Sequence, residues 1–315
     1  MTACRDSAAA EPLTATAPPA TAWLVLEQPG PWGRDAVSDS HLPDALAAHL
    51  KSAKGTGVSV LLARHPDRPE RSASEGRHVW FASTAPGHSW MREAVLTDDA
   101  ALLECDFAAI ASGSLPAIGS GSTTPLLLVC THSGRDACCA VHGRALVTSL
   151  MSAGADRSRL WECSHLGGHR FAPTALSLPT GTVFGRLDLD SAQQVMDDAA
   201  RGQLHLAHYR GRSAFPQALQ AAEIKVREVE GITDASALDV LWVRNGRAIP
   251  VPPGATLDNL ASLLAEVRHM DGRSWHVPVR HLPLPRARME SCGKDPVEGA
   301  AWVGVSCIPI DPWRS

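Results

Sequence analysis

The sequence predicts an α/β fold with a thioredoxin-like unit at its centre. A short unbroken apolar run at 126–129 reads as a buried strand, 58–62 reads as another strand, and these alternate with segments of helical period such as 140–151. Over residues 125–202 the elements follow the order βαβ, then a β-hairpin, then α, which is the thioredoxin-like order.

Taken from the start, residues 1–21 are rich in Ala, Pro and Thr and are expected to form a flexible tail. An N-terminal α/β domain is expected over 22–112. It opens with a strand at 22–26 and a turn through Pro29, Gly30, Pro31 and Gly33. A helix follows with Ser40 as N-cap, Pro43 in its first turn, and Leu42, Leu46 and Leu50 at i, i+4 spacing. Strands at 58–62 and 78–81 complete the domain, and the Ser, Gly and Pro residues of 112–124 mark its boundary.

The central unit, 124–205, begins with a strand at 125–130 that carries Cys130 to its C-terminal edge. Its helix at 140–151 puts Leu146, Val147, Leu150 and Met151 on one face and ends near Gly154. A strand at 160–163 leads into the loop containing His165 and His169. Hairpin strands at 174–178 and 182–185 meet through Pro179, Thr180 and Gly181, and a last helix runs 191–201 behind Asp190 as N-cap. The C-terminal α/β region, 206–315, reads as a basic loop at 209–213, a helix at 215–230, a strand at 237–244, a second helix at 257–269 and a strand at 274–279.

A net charge of -4 and a hydrophobic content of 44% argue against a disordered chain and against a nucleic-acid binder that works by phosphate neutralisation. No apolar run approaches the roughly 20 residues of a membrane span, and no basic-then-apolar leader opens the chain, so the expected location is the cytoplasm with no membrane partner. The 8 cysteines are too few for a secreted disulfide scaffold. Cys130, Cys138, Cys139 and Cys163 crowd into one stretch, which in a reducing compartment points to metal or redox chemistry. Cys4, Cys105, Cys292 and Cys307 read as ordinary thiols.

Cys130 and Cys139, with His165 and His169, place four soft or borderline ligands on two loops of the central unit. An H-x-x-x-H pair alone says little, but Gly167-Gly168 between the imidazoles disfavours a helix and favours a loop whose backbone can approach a bound group. Thiolate with imidazole suits iron–sulfur clusters and zinc alike. Arg135 and Asp136 either pair across the cysteine loop or lie in a solvated turn. Arg170 is either a surface cation or a donor toward the bound group.

The run Cys130-Thr131-His132-Ser133-Gly134-Arg135-Asp136-Ala137-Cys138-Cys139-Ala140, followed by His165-Leu166-Gly167-Gly168-His169-Arg170-Phe171-Ala172, resembles the sucrase/ferredoxin-like family. More broadly the central unit is similar to the thioredoxin-like 2Fe-2S ferredoxins, with the second cysteine pair replaced by histidines. The resemblance implies a thioredoxin-like ferredoxin domain flanked by N-terminal and C-terminal α/β regions. It also implies a 2Fe-2S cluster with Cys130 and Cys139 on one iron and His165 and His169 on the other. Cys138 competes with Cys139 for the second thiolate position; the nine-residue offset from Cys130 favours Cys139.

The expected function is therefore a one-electron carrier or redox sensor without substrate chemistry of its own, serving a redox partner protein. Two neutral imidazoles in place of thiolates raise the potential, and their free ring nitrogens allow proton-coupled transfer. The alternatives are a structural Cys2His2 zinc site and a thiol–disulfide oxidoreductase, the latter weakened by the lack of Cys-x-x-Cys at the strand-to-helix turn. Glycoside hydrolysis needs two carboxylates facing across a sugar. The carboxylates nearest the motif, Asp136, Glu162, Asp188 and Asp190, make no such pair in the sequence.

Overall fold

The computed structural model describes residues 3–67, 76–252, 255 and 257–311. Its strands in chain order are β1 (Ala22–Glu27), β2 (Val58–Arg64), β3 (Arg77–Ser83), β4 (Trp90–Leu96), β5 (Ser120–Gly121), β6 (Leu126–Cys130), β7 (Leu160–Cys163), β8 (Ala175–Leu178), β9 (Thr182–Phe184) and β10 (Tyr209–Arg212). The α-helices are α1 (Cys4–Ser7), α2 (Asp44–Ser52), α3 (Ala100–Leu103), α4 (Phe107–Ala111), α5 (Arg144–Ser152), α6 (Leu189–Ala200) and α7 (Gln217–Glu230). Among the described residues no helix is long and apolar enough to cross a membrane.

All ten of these strands belong to one sheet, ordered β10-β9-β8-β6-β7-β2-β1-β3-β4-β5. The expected boundary at 112–124 does not divide it. β2 pairs antiparallel with β7 through Ala63↔Cys163 and Arg64↔Glu162. Ser164 reinforces the seam, donating its N–H to Leu62 O at 2.8 Å and accepting the Leu62 N–H on Oγ at 3.0 Å. Both strands are buried runs whose edges would otherwise stay unpaired, and joining them satisfies those edges. The Gly- and Ser-rich segment only lets the chain cross, adding β5 beside β4 on the way.

β1 is buried along its whole length because both faces of the sheet are covered there. One face packs under α2, α3 and α4, and the other joins the cluster of Leu128, Cys130, Cys139 and Trp161. α5 and α6 cover the opposite face of the central strands through Leu146, Leu150, Val195 and Met196. Two caps differ from expectation. α2 starts at Asp44 behind Pro43, with Ser40 buried outside the helix. α6 starts at Leu189, because Asp188 rather than Asp190 forms a reciprocal capping box with Ser191, both bonds 2.9 Å.

The expected flexible tail is packed. Met1 and Thr2 lie outside the described residues, but Cys4, Ala8, Glu11, Ala15, Ala17 and Ala20 are buried. Thr16 N–H bonds Arg210 O and Ala20 N–H bonds Ser213 O, so this segment runs along the outer edge of β10, while Gln220 brackets both backbone groups of Ala17. Small side chains that look too weakly hydrophobic to fold are what lets a backbone lie this close to a sheet edge.

Beyond α7 the chain forms a second, antiparallel sheet from β11 (Leu238–Arg244), β12 (Arg247–Ile249), β13 (Ser262–His269) and β14 (Ser274–Pro283). The small hairpin β15 (Arg288–Met289) and β16 (Pro296–Val297) follows, then β17 (Ala300–Gly304) and β18 (Ile308–Pro309), both paired with β14. The helix expected at 257–269 is thus a strand. Leu263, Ala265 and Val267 alternate toward the core, and Val267 stands between Val240 of β11 and Trp275 of β14. Leu260, Leu263, Leu264 and Val267 fit a helical period equally well, and the non-local pairing decides. The basic segment 209–213, expected as a loop, supplies β10 and is buried, with Tyr209, Arg210 and Arg212 almost wholly enclosed.

Candidate metal centre

β6 and β7 run parallel and bring Cys130 level with Cys163 at their C-terminal ends. After β6 the chain makes one π-helical turn, Cys139–Gly143, that continues into α5. Gly143 presses against the Cys130 carbonyl, so any side chain there would collide with backbone; the glycine is what lets Cys139, at the head of the turn, reach the end of β6. After β7 the chain turns back through Gly167 and Gly168, at φ 78° and 72°, before His169 opens a single 3-10 turn. Such left-handed backbone suits glycine, which agrees with a loop rather than a helix between the two histidines.

The Cys130 and Cys139 sulfurs and a ring nitrogen of His165 lie within 4.8 Å of one another. Cys130 and Cys139 are 0% and 1% exposed. The His165 and His169 rings stand 5.4 Å apart, tilted by 34°. His165 Nδ1 is buried with no hydrogen-bond partner, a costly state for a polar atom. Cys130 is held well below the ordinary thiol value, first by the Cys139 thiol donating to it, then by His165 and the His132 N–H. Cys139 is pushed up as the donating partner of the pair. Cys163 is pushed up chiefly by burial and has no part in the compact group.

His169 stands at the rim. Its Nδ1 is 3.2 Å from Asp136 Oδ2 and 3.4 Å from Cys4 Sγ. Burial lowers its pKa, and the Asp136 charge works the other way. Asp136 does not pair with the exposed Arg135. It turns inward, where Oδ1 accepts Cys138 N–H at 2.9 Å and Oδ2 accepts Cys292 N–H at 3.0 Å.

A buried cation completes the electrostatics. Arg210, 1% exposed, donates to Thr16 Oγ1, Thr16 O and Gly167 O, none of them charged. Burial pushes its pKa down, while Cys139 and Cys130 act to raise it. An arginine does not give up its proton in a protein, so the charge stays and favours anionic sulfur nearby. The donor set therefore fits a thiophilic metal or an iron–sulfur cluster: two buried thiols, an imidazole nitrogen beside them and a fixed positive charge nearby.

Other expected participants have different partners. Arg170 makes a two-pronged pair with Glu11, at 2.7 and 2.8 Å, and stacks on Phe171. Glu162 is taken by Arg64 and by the Thr131 hydroxyl at 2.7 Å. Cys4 and Cys292, read as ordinary thiols, meet Cys138 beside the first group. Spacing carries no sign of this, since Cys138 is 134 positions from Cys4 and 154 from Cys292.

No curated protein and no solved structure matches the chain. The model of the sucrase/ferredoxin-like family matches residues 13–211, from ahead of β1 to the third residue of β10, and includes both histidine and cysteine motifs. With more than half its length so matched, and Cys130, Cys139 and His165, though not His169, gathered within 4.8 Å of one another, this chain belongs to the sucrase/ferredoxin-like family.

Proposed function

We propose that Cys130, Cys139, His165 and His169 hold a 2Fe-2S cluster and that the protein is a one-electron carrier or redox sensor serving a redox partner protein in the cytoplasm. The observation that carries this reading is the buried convergence of Cys130, Cys139 and His165, with His165 Nδ1 left orphaned. Such a group, when bound, accepts and returns single electrons. The chain's own residues set the terms. Cys130 and Cys139 supply the thiolates, and Arg210 offsets their charge. Asp136 accepts at His169 Nδ1, which fixes the tautomer and leaves Nε2 as the ligand atom. His169 Nδ1 would hold a proton against Asp136, and that proton could leave or return as the charge of a bound group changes.

Protein-film voltammetry tests this. The wild-type potential is expected to fall as pH rises, approaching about 59 mV per pH unit where one proton accompanies one electron. His165→Cys and His169→Cys, each replacing a neutral ligand by a thiolate, are expected to lower the potential by on the order of 100 mV. A potential flat with pH and unmoved by both substitutions contradicts the bis-histidine reading.

A further inference from the structure

Three thiols from distant parts of the chain form a near-equilateral triangle beside the first site. Cys4 Sγ is 3.5 Å from Cys138 Sγ, Cys138 Sγ is 3.3 Å from Cys292 Sγ, and Cys292 Sγ is 3.5 Å from Cys4 Sγ. A pair set up for a disulfide would show one short edge and a third thiol apart. Asp136 closes the figure, with Oδ1 3.8 Å from Cys4 Sγ, and the four ligand atoms lie within 4.8 Å of one another. The carboxylate is held there by the Cys138 and Cys292 N–H groups and by the Ser291 hydroxyl at 3.1 Å, while the Arg5 N–H donates to Cys138 sulfur.

We propose that Cys4, Cys138 and Cys292, with Asp136 as fourth ligand, bind one zinc ion. Thiolates select zinc or cuprous ion, and the hard carboxylate oxygen favours zinc. Three sulfurs on one tetrahedral zinc at ~2.3 Å stand about 3.8 Å apart, so the triangle needs only to open slightly. Edges of 3.3 to 3.5 Å lie close to that spacing, as three thiolates on a single ion require. On binding, each thiol gives its proton to solvent as the Zn–S bond forms, and no electron moves.

The ion would join three pieces that lie far apart in sequence: α1, the β15–β16 loop that carries Cys292, and the residue immediately before Cys139. Adjacent cysteines thus face two different sites, with Asp136 and His169 as the wall between them. Tying down Asp136 would also hold His169 in the orientation the first site uses. The zinc site itself stands whatever the first site contains.

Iron and zinc are to be measured separately on the full chain, expressed with added zinc, purified anaerobically under reductant and washed with chelator. The expected result is one zinc per chain, lost in Cys292→Ser but retained in Cys130→Ser. Because a variant may fold poorly, wild type is also to be titrated with cobalt, which should give thiolate-to-cobalt charge-transfer absorption saturating at one equivalent. Zinc at both sites with no iron would leave this proposal standing and refute the cluster. Zinc that survives in Cys292→Ser but is lost in Cys130→Ser overturns it. So does wild type that takes up neither metal, or whose non-reduced peptide map shows two of the three cysteines joined.

Discussion

If the proposed cluster is bound, Cys139→Ser is expected to strip the protein of iron, whereas Cys138→Ser is expected to leave the iron in place. The two residues are neighbours in sequence and indistinguishable by composition, yet one turn of π-helix sends their sulfurs to opposite sides. Cys139 points to Cys130 and His165, and Cys138 to Cys4 and Cys292. Removing a thiolate from the proposed four-ligand site would leave an iron with an open position and take away one of its two negative protein ligands, so iron content in Cys139→Ser is expected to fall to background. Iron assay after anaerobic purification checks both variants. Equal iron in the two, or loss only in Cys138→Ser, would reverse the assignment of ligands.

Glu223→Ala is expected to cost about 3–5 kcal/mol of stability. Glu223 and Arg227 are both 0% exposed and pair at 3.0 Å on α7, with Tyr209 of β10 donating to Glu223 at 2.9 Å. Arg227 spends its remaining donors on Ile232 O, Asp234 O and Ala235 O, so it cannot leave when its partner is deleted. A buried, unpaired guanidinium is the result, alongside a buried phenol without its acceptor. This network ties α7 and the segment leading into β11 to the strand that also carries Arg210, so the damage is expected to reach the candidate site. Guanidinium unfolding followed by circular dichroism measures it. A loss under about 1 kcal/mol would place the pair in the class of exposed ion pairs.

The parts of this architecture written in local pattern were legible in the sequence. β6, β7, the β8–β9 hairpin and the helix after Cys139 each announce themselves within a few residues, through an apolar run, a Pro-Thr-Gly turn or an apolar stripe. Cys130, Cys139 and His165 belong to the same class, because their elements are adjacent in both sequence and space. What was not legible depends on partners far along the chain. Leu263, Ala265 and Val267 satisfy a helical period until β11 and β14 flank them. Ala15, Ala17 and Ala20 are too small to advertise burial, and only the edge of β10 explains their place. The division at 112–124 follows real turn chemistry, but sheet continuity is set by Ala63 meeting Cys163. Cys4 and Cys292 give no local sign of Cys138, and neither a pair with Arg135 nor a solvated turn describes Asp136, whose acceptors are taken up by Cys138, Cys292 and His169.

The most direct test of the cluster is the content of iron and acid-labile sulfide in protein purified without oxygen. About two of each per chain, with an EPR signal appearing only on one-electron reduction, is the predicted result. Colourless protein carrying zinc at Cys130 and Cys139, with neither iron nor sulfide, would contradict the account.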